Sequence, residues 1–136
     1  MNKKIFLFGA LGMLTLAFAV NSQAQCTCVC QFPKSKQIVP LGKQATSTGT
    51  QYSFRPDFFR DCTGAFCAIQ KVEYAWTIGA SSTAAYTIEG GADSLQLVVT
   101  VTGQGRLDLS CTVTVTCGDK VTQCTDTGSR SFHVRN

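Results

Sequence analysis

Residues 107–117 of the chain read LDLSCTVTVTC and alternate strictly between two kinds of side chain. Leucine, valine and cysteine occupy the odd positions, and aspartate, serine and threonine occupy the even ones. Side chains of a β-strand point alternately to opposite faces, so this stretch predicts a long strand with one face in a hydrophobic core. Cys111 and Cys117 belong to the inward face.

The same period of two recurs upstream in residues 72–78 and 95–102, and no stretch after residue 24 has a sustained helical period. Glycine-containing turn signals separate the stretches. Seven short strands at a spacing of roughly ten residues predict an all-β fold, an antiparallel sandwich of two sheets. Pro40 favours an edge position for its strand. The four weaker strand predictions are residues 38–41, 52–54, 85–88 and 130–134.

The first 24 residues carry an export pattern. Two lysines precede the apolar run Ile5–Val20, and small and polar residues follow it up to Ala24. This order is typical of a signal peptide cleaved after Ala24. The run has about 16 residues, whereas a spanning helix needs about 20, so we expect no membrane span after cleavage. Gln25 before Cys26 disfavours a lipid anchor, and we expect a periplasmic or extracellular product.

The remaining chain divides into a Cys-rich amino-terminal segment, residues 25–36, and one domain, residues 37–136. The whole chain has 12 basic and 8 acidic residues and a net charge of +4. Cleavage of the signal peptide, residues 1–24, removes two lysines and lowers that charge to +2. No dense cluster of lysine and arginine remains, so we expect no nucleic-acid partner.

The stretch Tyr74–Ile78 (YAWTI), followed by glycine-rich turns and the strand around Cys111 (LSCTV), resembles immunoglobulin-like and PKD-like domains of bacterial exported or surface proteins. The resemblance covers about residues 37–134. It implies an immunoglobulin-like sandwich in which Trp76, on the third strand, marks the core. Two positions depart from the pattern: Gly79-Ala80-Ser81 replaces the usual Gly-Asp-Gly turn, and Leu109 stands where a tyrosine is expected.

All eight cysteines follow the leader, and an even count in a short exported chain predicts a disulfide framework. The resemblance implies a core bridge between Cys62 and Cys111, and a local bridge between Cys62 and Cys67 is the alternative. Cys117 and Cys124 flank a turn, and we expect them to close a hairpin. The eight are Cys26, Cys28, Cys30, Cys62, Cys67, Cys111, Cys117 and Cys124.

The sequence Cys26-Thr27-Cys28-Val29-Cys30 places three thiols on one face of an extended strand. Zinc and copper bind thiolates, so Cys26, Cys28 and Cys30 are weak metal candidates. In an oxidising compartment we favour bridges that pin this segment to the domain, and we expect no metal and no cofactor.

Catalytic motifs are missing from the sequence. The only histidine, His133, falls on the polar face of the last strand, and no Cys-x-x-Cys pair is present. We therefore expect a non-catalytic binding or structural module with a protein or glycan partner, and Phe58-Phe59 as either a core anchor or a contact patch. One alternative is a protease inhibitor that presents the loop Asp119–Gln123 in extended form. The other is a metal-binding protein that uses the amino-terminal cysteines.

Overall fold

The computed structural model describes residues 25–135, so the predicted signal peptide lies outside the described residues. The described chain is all-β. No helix within it is long and apolar enough to cross a membrane. Its strands are β1 (Thr27–Gln31), β2 (Ile38–Ala45), β3 (Thr50–Pro56), β4 (Phe59–Thr63), β5 (Ile69–Ile78), β6 (Ala85–Gly90), β7 (Leu97–Thr102), β8 (Gly105–Cys117) and β9 (Gln123–Val134).

The strands form three antiparallel sheets. The largest has the order β2-β3-β7-β6, the second has the order β5-β8-β9, and β1 pairs with β4 alone. The β1–β4 ladder ends at the pair Gln31 and Phe59, and the β2–β3 ladder begins at Ile38 and Pro56. The two ladders thus follow one another along the same two chain segments, and a backbone hydrogen bond from Asp57 to the Gln37 carbonyl spans the gap.

The core lies between the inward faces of the two larger sheets. Every odd residue from 107 to 117 is buried, as the alternation predicts. Side chains from β3 and β7 complete the same cluster from the other sheet. The largest fully buried apolar side chains are those of Phe54, Ile38, Leu97, Leu107, Leu109, Val99, Val101, Val113 and Val115.

All seven predicted strands are present, and most extend beyond the predicted residues. The strand that contains Pro40 is at the edge of its sheet, as predicted, and the register shifts between Pro40 and Gly42. β1 and β4 are not among the seven predicted strands, although the sequence predicts an extended conformation for residues 26–30. Both are only five residues long and pair chiefly with each other, so neither has a face in the main core long enough to produce a clear period.

The amino-terminal segment is fixed to β9 by polar contacts. The Phe32 amide donates to the Asp126 carboxylate at 2.8 Å, and the Ser129 amide donates to the Gln37 side-chain oxygen at 2.8 Å. The Phe32 ring covers Gly128, where a Cβ atom would lie 2.5 Å from the ring. Only glycine allows this close approach, so β9 and the segment before β2 pack as one unit.

Trp76 lies on β5 and is 5% exposed. Its indole Nε1 donates to the Ser94 carbonyl at 2.8 Å, and its backbone amide donates to the Ala92 carbonyl at 2.8 Å. These bonds attach the loop before β7 to β5 near its carboxyl end. Cys111 is the direct ladder partner of Trp76 and has a free, fully buried thiol. Burial raises the pKa of Cys111 to about 12, so this thiol stays protonated.

Candidate functional site

Two disulfides brace one end of the domain. Cys26 bonds to Cys67 with a Cα–Cα distance of 5.4 Å, and Cys62 bonds to Cys117 with a Cα–Cα distance of 5.7 Å. The first joins the start of the described chain to the loop after β4, and the second joins β4 to the last residue of β8. Both therefore restrain the loops at this end of the domain, residues 64–68 and 118–122.

The pairing of Cys62 with Cys117 corrects the predicted core bridge between Cys62 and Cys111. That prediction placed Cys62 in a main-sheet strand opposite Cys111. Cys62 lies instead on β4, in the two-stranded sheet, while Cys111 stays unpaired beside Trp76. The local alternative is corrected as well, because Cys67 bonds to Cys26.

The predicted hairpin bridge between Cys117 and Cys124 is not formed either. In the β8–β9 ladder Cys124 stands opposite Val115, so Cys117 is two positions further along. The hairpin is closed by backbone pairing of Thr116 with Gln123. Cys124 instead has its disulfide partners on β1, at Cys28 and Cys30.

The amino-terminal metal candidates have different disulfide partners in the structure. Cys26 is bonded to Cys67, whereas the partner of Cys28 and Cys30 is Cys124. Within residues 25–135, the three sulfur atoms that lie within 4.8 Å of one another belong to Cys28, Cys62 and Cys117. Two of these are joined as a disulfide, and a disulfide does not supply the thiolates that zinc or copper needs.

Two apolar side chains project from the braced loops. Phe66 is 98% exposed and Val121 is 80% exposed. The loops touch at Gly118, where a Cβ atom would lie 2.6 Å from the Phe66 carbonyl oxygen. We call residues 64–68 and 118–122 the loop tip. An isolated exposed hydrophobic residue is ordinary, but here two apolar side chains are exposed on touching, disulfide-anchored loops.

Phe66 has a backbone φ of 61°, in the left-handed region. A bulky residue in this region is uncommon and costs about 1 to 2 kcal/mol. The neighbouring Cys67 is fixed by its disulfide, and its amide donates to the Gly64 carbonyl at 3.3 Å. The loop therefore holds a strained phenylalanine in solvent, an arrangement that adds nothing to the stability of the isolated domain.

Variants with glycine or alanine at position 66 both lack the phenyl ring, so the difference in their stability measures the cost of the left-handed backbone conformation. Because glycine adopts the left-handed conformation without a steric penalty, we expect the Phe66→Gly variant to be more stable than Phe66→Ala by about 1 kcal/mol. Urea unfolding of both variants measures this difference. Lys120→Gly and Lys120→Ala form a matched pair, because Lys120 has a φ of 65° in the other loop of the tip. An alanine variant as stable as its glycine counterpart would contradict the strained conformation.

The loop 118–122 is a tight turn organised by Asp119. One Asp119 carboxylate oxygen accepts from the amides of Val121 at 3.1 Å and Thr122 at 2.8 Å, and the other accepts from the Thr122 hydroxyl. The Lys120 amide donates to the Cys117 carbonyl at 2.9 Å. These bonds point Val121 outward. The hydrogen bond from the Thr122 side chain, followed by those from backbone amides, lowers the pKa of Asp119 below 3.8.

The lowered pKa of Asp119 predicts a pH dependence for the turn. The carboxylate contribution is complete above pH 3.8, and it is lost as the pH falls through the lower pKa of the folded state. We expect the ¹³C shift of the Asp119 carboxyl carbon to titrate with a midpoint below 3.8. In a Thr122→Val variant, which removes the hydroxyl donor, that midpoint should rise. A midpoint at or above 3.8 in the unaltered chain would contradict the hydrogen bonding described for this turn.

Polar residues surround a shallow depression beside the loop tip. Lys71 and Glu73 form an exposed ion pair there, with 2.9 Å between Nζ and Oε1. Such a pair contributes little to stability, but an apolar centre with a polar rim is the usual anatomy of a protein–protein interface. The residues around the depression are Gln70, Lys71, Glu73, Thr116, Lys120 and Gln123.

A second surface lies around Phe59, where β4 begins. Phe58 packs edge-on against Phe32 with 4.9 Å between ring centroids, whereas Phe59 is 62% exposed. The two predicted roles of this pair are thus divided between its members. Phe59 and Asp57 line a shallow cavity together with Gln31, Phe32 and Pro33.

His133 is exposed on β9, out of phase with the half-buried Phe132 and the buried Val134. Its strand position is the one expected from the sequence.

Comparison of the chain with family models, characterised proteins and solved structures finds no match. The geometry of the loop tip and of the cysteines is therefore the basis for a functional assignment.

Proposed function

We propose that the chain is an exported, non-catalytic binding module that contacts a protein partner through the loop tip. The observation that carries this proposal is the exposure of Phe66 and Val121 on neighbouring loops that two disulfides restrain. The disulfides are consistent with an oxidising compartment outside the cytoplasm.

An immunoglobulin-like arrangement is part of the proposal. With the ribbon strands β1 and β4 set aside, the remaining seven strands have the orders first-second-fifth-fourth and third-sixth-seventh in the two sheets. These are the orders of a constant-type immunoglobulin sandwich. The buried Trp76 on the third strand of this count supports the same assignment. Such sandwiches commonly bind through loops at one end, which is where the loop tip lies.

The loop tip suits binding energetically. Burying an exposed Phe or Val side chain in a partner contributes about 1.5 to 3 kcal/mol. A flexible loop would lose part of this gain to ordering, but the Cys26–Cys67 and Cys62–Cys117 disulfides restrict these loops before binding. The partner that best fits has an apolar cleft with a polar border that matches Lys71, Glu73 and Lys120.

The protease-inhibitor alternative receives less support from the loop geometry. An inhibitor of that kind presents an extended segment to the protease, and residues 119–123 were the expected segment. Asp119 and the positive φ of Lys120 instead fold it into a tight turn. We therefore do not propose inhibition.

Glycan binding is a second candidate, supported by the surface around Phe59. An exposed aromatic ring offers an apolar face to a sugar, and the neighbouring Asp57 and Gln31 offer hydrogen-bonding groups to its hydroxyls. The loop tip is less suited to a glycan because its two projecting side chains are both apolar. The two candidates therefore differ in the surface that they use.

Binding of the labelled mature protein to envelope fractions of the producing cells tests both candidates. We expect Phe66→Ser and Val121→Ser to weaken binding, with Phe66→Ser costing about 2 kcal/mol, or about thirtyfold in Kd. Tyr86→Ser is the matched control, because Tyr86 is a partly exposed aromatic residue on β6, outside the loop tip. Loss of binding in Phe59→Ser with retention in Phe66→Ser would favour the glycan site and contradict the proposed protein contact.

A further inference from the structure

Cys124 has two alternative disulfide partners on β1. Its Cα atom lies 5.7 Å from that of Cys28 and 5.9 Å from that of Cys30, and a disulfide spans either distance. Cys28 and Cys30 are two residues apart on the strand, so they face the same side. A sulfur atom in a disulfide bonds one other sulfur, so Cys124 pairs with one of the two at a time.

This arrangement leaves one accessible thiol in the folded protein. Three simultaneous disulfides use six of the eight cysteines, so two thiols remain. One is Cys111, which is fully buried and stays protonated. The other is whichever of Cys28 and Cys30 is not bonded to Cys124, and both of these are only half-buried.

The surroundings of Cys28 and Cys30 differ. Cys30 stands directly opposite Arg60 in the β1–β4 ladder, so the two side chains share a face. A guanidinium group at this position favours a thiolate at Cys30. Cys28 stands opposite Cys62, and its sulfur atom lies 3.8 Å from the carbonyl oxygen of Val115, the residue that pairs with Cys124 in the β8–β9 ladder. These neighbours favour Cys28 as the partner of Cys124 and Cys30 as the free thiol.

We propose that Cys28, Cys30 and Cys124 form a thiol–disulfide exchange site, in which Cys30 accepts a mixed disulfide from a low-molecular-weight disulfide. The Cys30 thiolate attacks one sulfur of the external disulfide, whose S–S bond breaks. One half of that molecule becomes bonded to Cys30, and the other half leaves as a thiolate and takes a proton from water. No net oxidation or reduction occurs.

Internal exchange at the same site competes with this modification. The Cys30 thiolate attacks the Cys124 sulfur, the Cys28–Cys124 bond breaks, and Cys28 leaves as a thiolate that takes a proton from water. In this state the free thiol is Cys28, which stands opposite Cys62 rather than Arg60 and therefore reacts more slowly with the external disulfide. Attack by Cys28 on Cys124 reverses the step and makes Cys30 available again.

The test uses oxidised glutathione as the external disulfide and the folded mature protein, with adducts counted by intact mass and located by peptide mapping. We expect one adduct per folded chain, on Cys30. A second sample, not treated with glutathione, is unfolded and alkylated. We expect two alkylated thiols in it, Cys30 and Cys111, because unfolding makes Cys111 accessible. Cys111→Ala should keep the folded-state adduct and lower the unfolded count to one.

The decisive variant is Cys28→Ala, which removes a residue that does not carry the adduct. Exchange predicts that Cys30 then pairs permanently with Cys124, so the adduct falls from one per chain to none. If Cys30 could not pair with Cys124, this variant would expose two thiols and take two adducts, which would overturn the proposal. Adducts on Cys62 or Cys117, or none in the unaltered folded chain, would also overturn it.

The role of Arg60 is tested by the rate of adduct formation in variants that keep all eight cysteines. We expect Arg60→Gln to slow adduct formation several-fold at neutral pH, and Arg60→Lys to retain most of the rate because the positive charge remains. Equal rates in the two variants would contradict the assignment of Cys30 by its charge environment. Circular dichroism before the reaction checks that each variant has retained its β-structure.

Discussion

Replacement of Trp76 by alanine is expected to lower the free energy of unfolding by about 3 to 5 kcal/mol, the usual cost of removing a buried aromatic side chain. Trp76 is 5% exposed within the core between the two larger sheets. Its loss would leave a cavity and an unpaired Ser94 carbonyl, which now accepts the indole hydrogen bond at 2.8 Å. Urea unfolding followed by circular dichroism measures the change.

Two controls accompany the Trp76 variant. Trp76→Phe keeps an aromatic ring but removes the donor to Ser94, and we expect it to lose less stability than Trp76→Ala. Tyr86→Ala removes a ring that is 39% exposed and should cost less again. If Trp76→Ala and Tyr86→Ala destabilised the protein equally, the central position of Trp76 in the core would be contradicted.

Removal of the Cys62–Cys117 disulfide is expected to have an effect of similar size. The two residues are 55 positions apart, and closing a loop of this length contributes about 4 kcal/mol in the chain-entropy model. We expect the double variant Cys62→Ala with Cys117→Ala to lose about this amount in urea unfolding under non-reducing conditions. Changing both residues avoids a free thiol that could form a new bridge.

Cys111→Ala is the matched control for the disulfide. It changes a fully buried cysteine on β8 that has no disulfide partner, so it should cost only about 1 kcal/mol. It also distinguishes the observed bridge from the bridge implied by the family resemblance. If Cys62 were bonded to Cys111, Cys111→Ala would cost about as much stability as the double variant.

The main strands could be predicted because each carries a period of two that burial on one face imposes. Residues 107–117 are the clearest example, since the sequence alone predicts both which side chains are buried and how long the strand is. The strands β1 and β4 lack such a signal: β4 reads FRDCT, and three of its five residues are charged or polar besides its cysteine. Their pairing with each other is a tertiary event that local sequence does not encode.

The disulfide partners could not be derived from the sequence for a related reason. Cys62 and Cys117 meet only because β4 forms a ribbon with β1 and comes close to the end of β8. Spacing around Trp76 suggested a family pattern, but the extra strand β4 carries Cys62 out of the main sheets. Eight cysteines allow 105 complete pairings, and periodicity alone does not choose among them.

Only half of the loop tip was part of the sequence prediction, because Asp119–Gln123 was a candidate inhibitory loop whereas residues 64–68 were not singled out. Phe66 is the one large apolar residue in the loop TGAFCA, and such a residue is as compatible with burial as with exposure. Its exposure follows from the positive φ and from the disulfide at Cys67, both of which are visible only in the structure. Val121 is similar, because the Asp119 turn determines its direction.

The most direct test of the proposed binding surface is photo-crosslinking in the producing cells with p-benzoylphenylalanine placed at single positions. We expect a discrete protein adduct from position 66, a second on the same partner from position 121, and none from position 86 on β6. Identical adducts from position 86, or an adduct from position 59 without one from position 66, would contradict a partner contact at the loop tip.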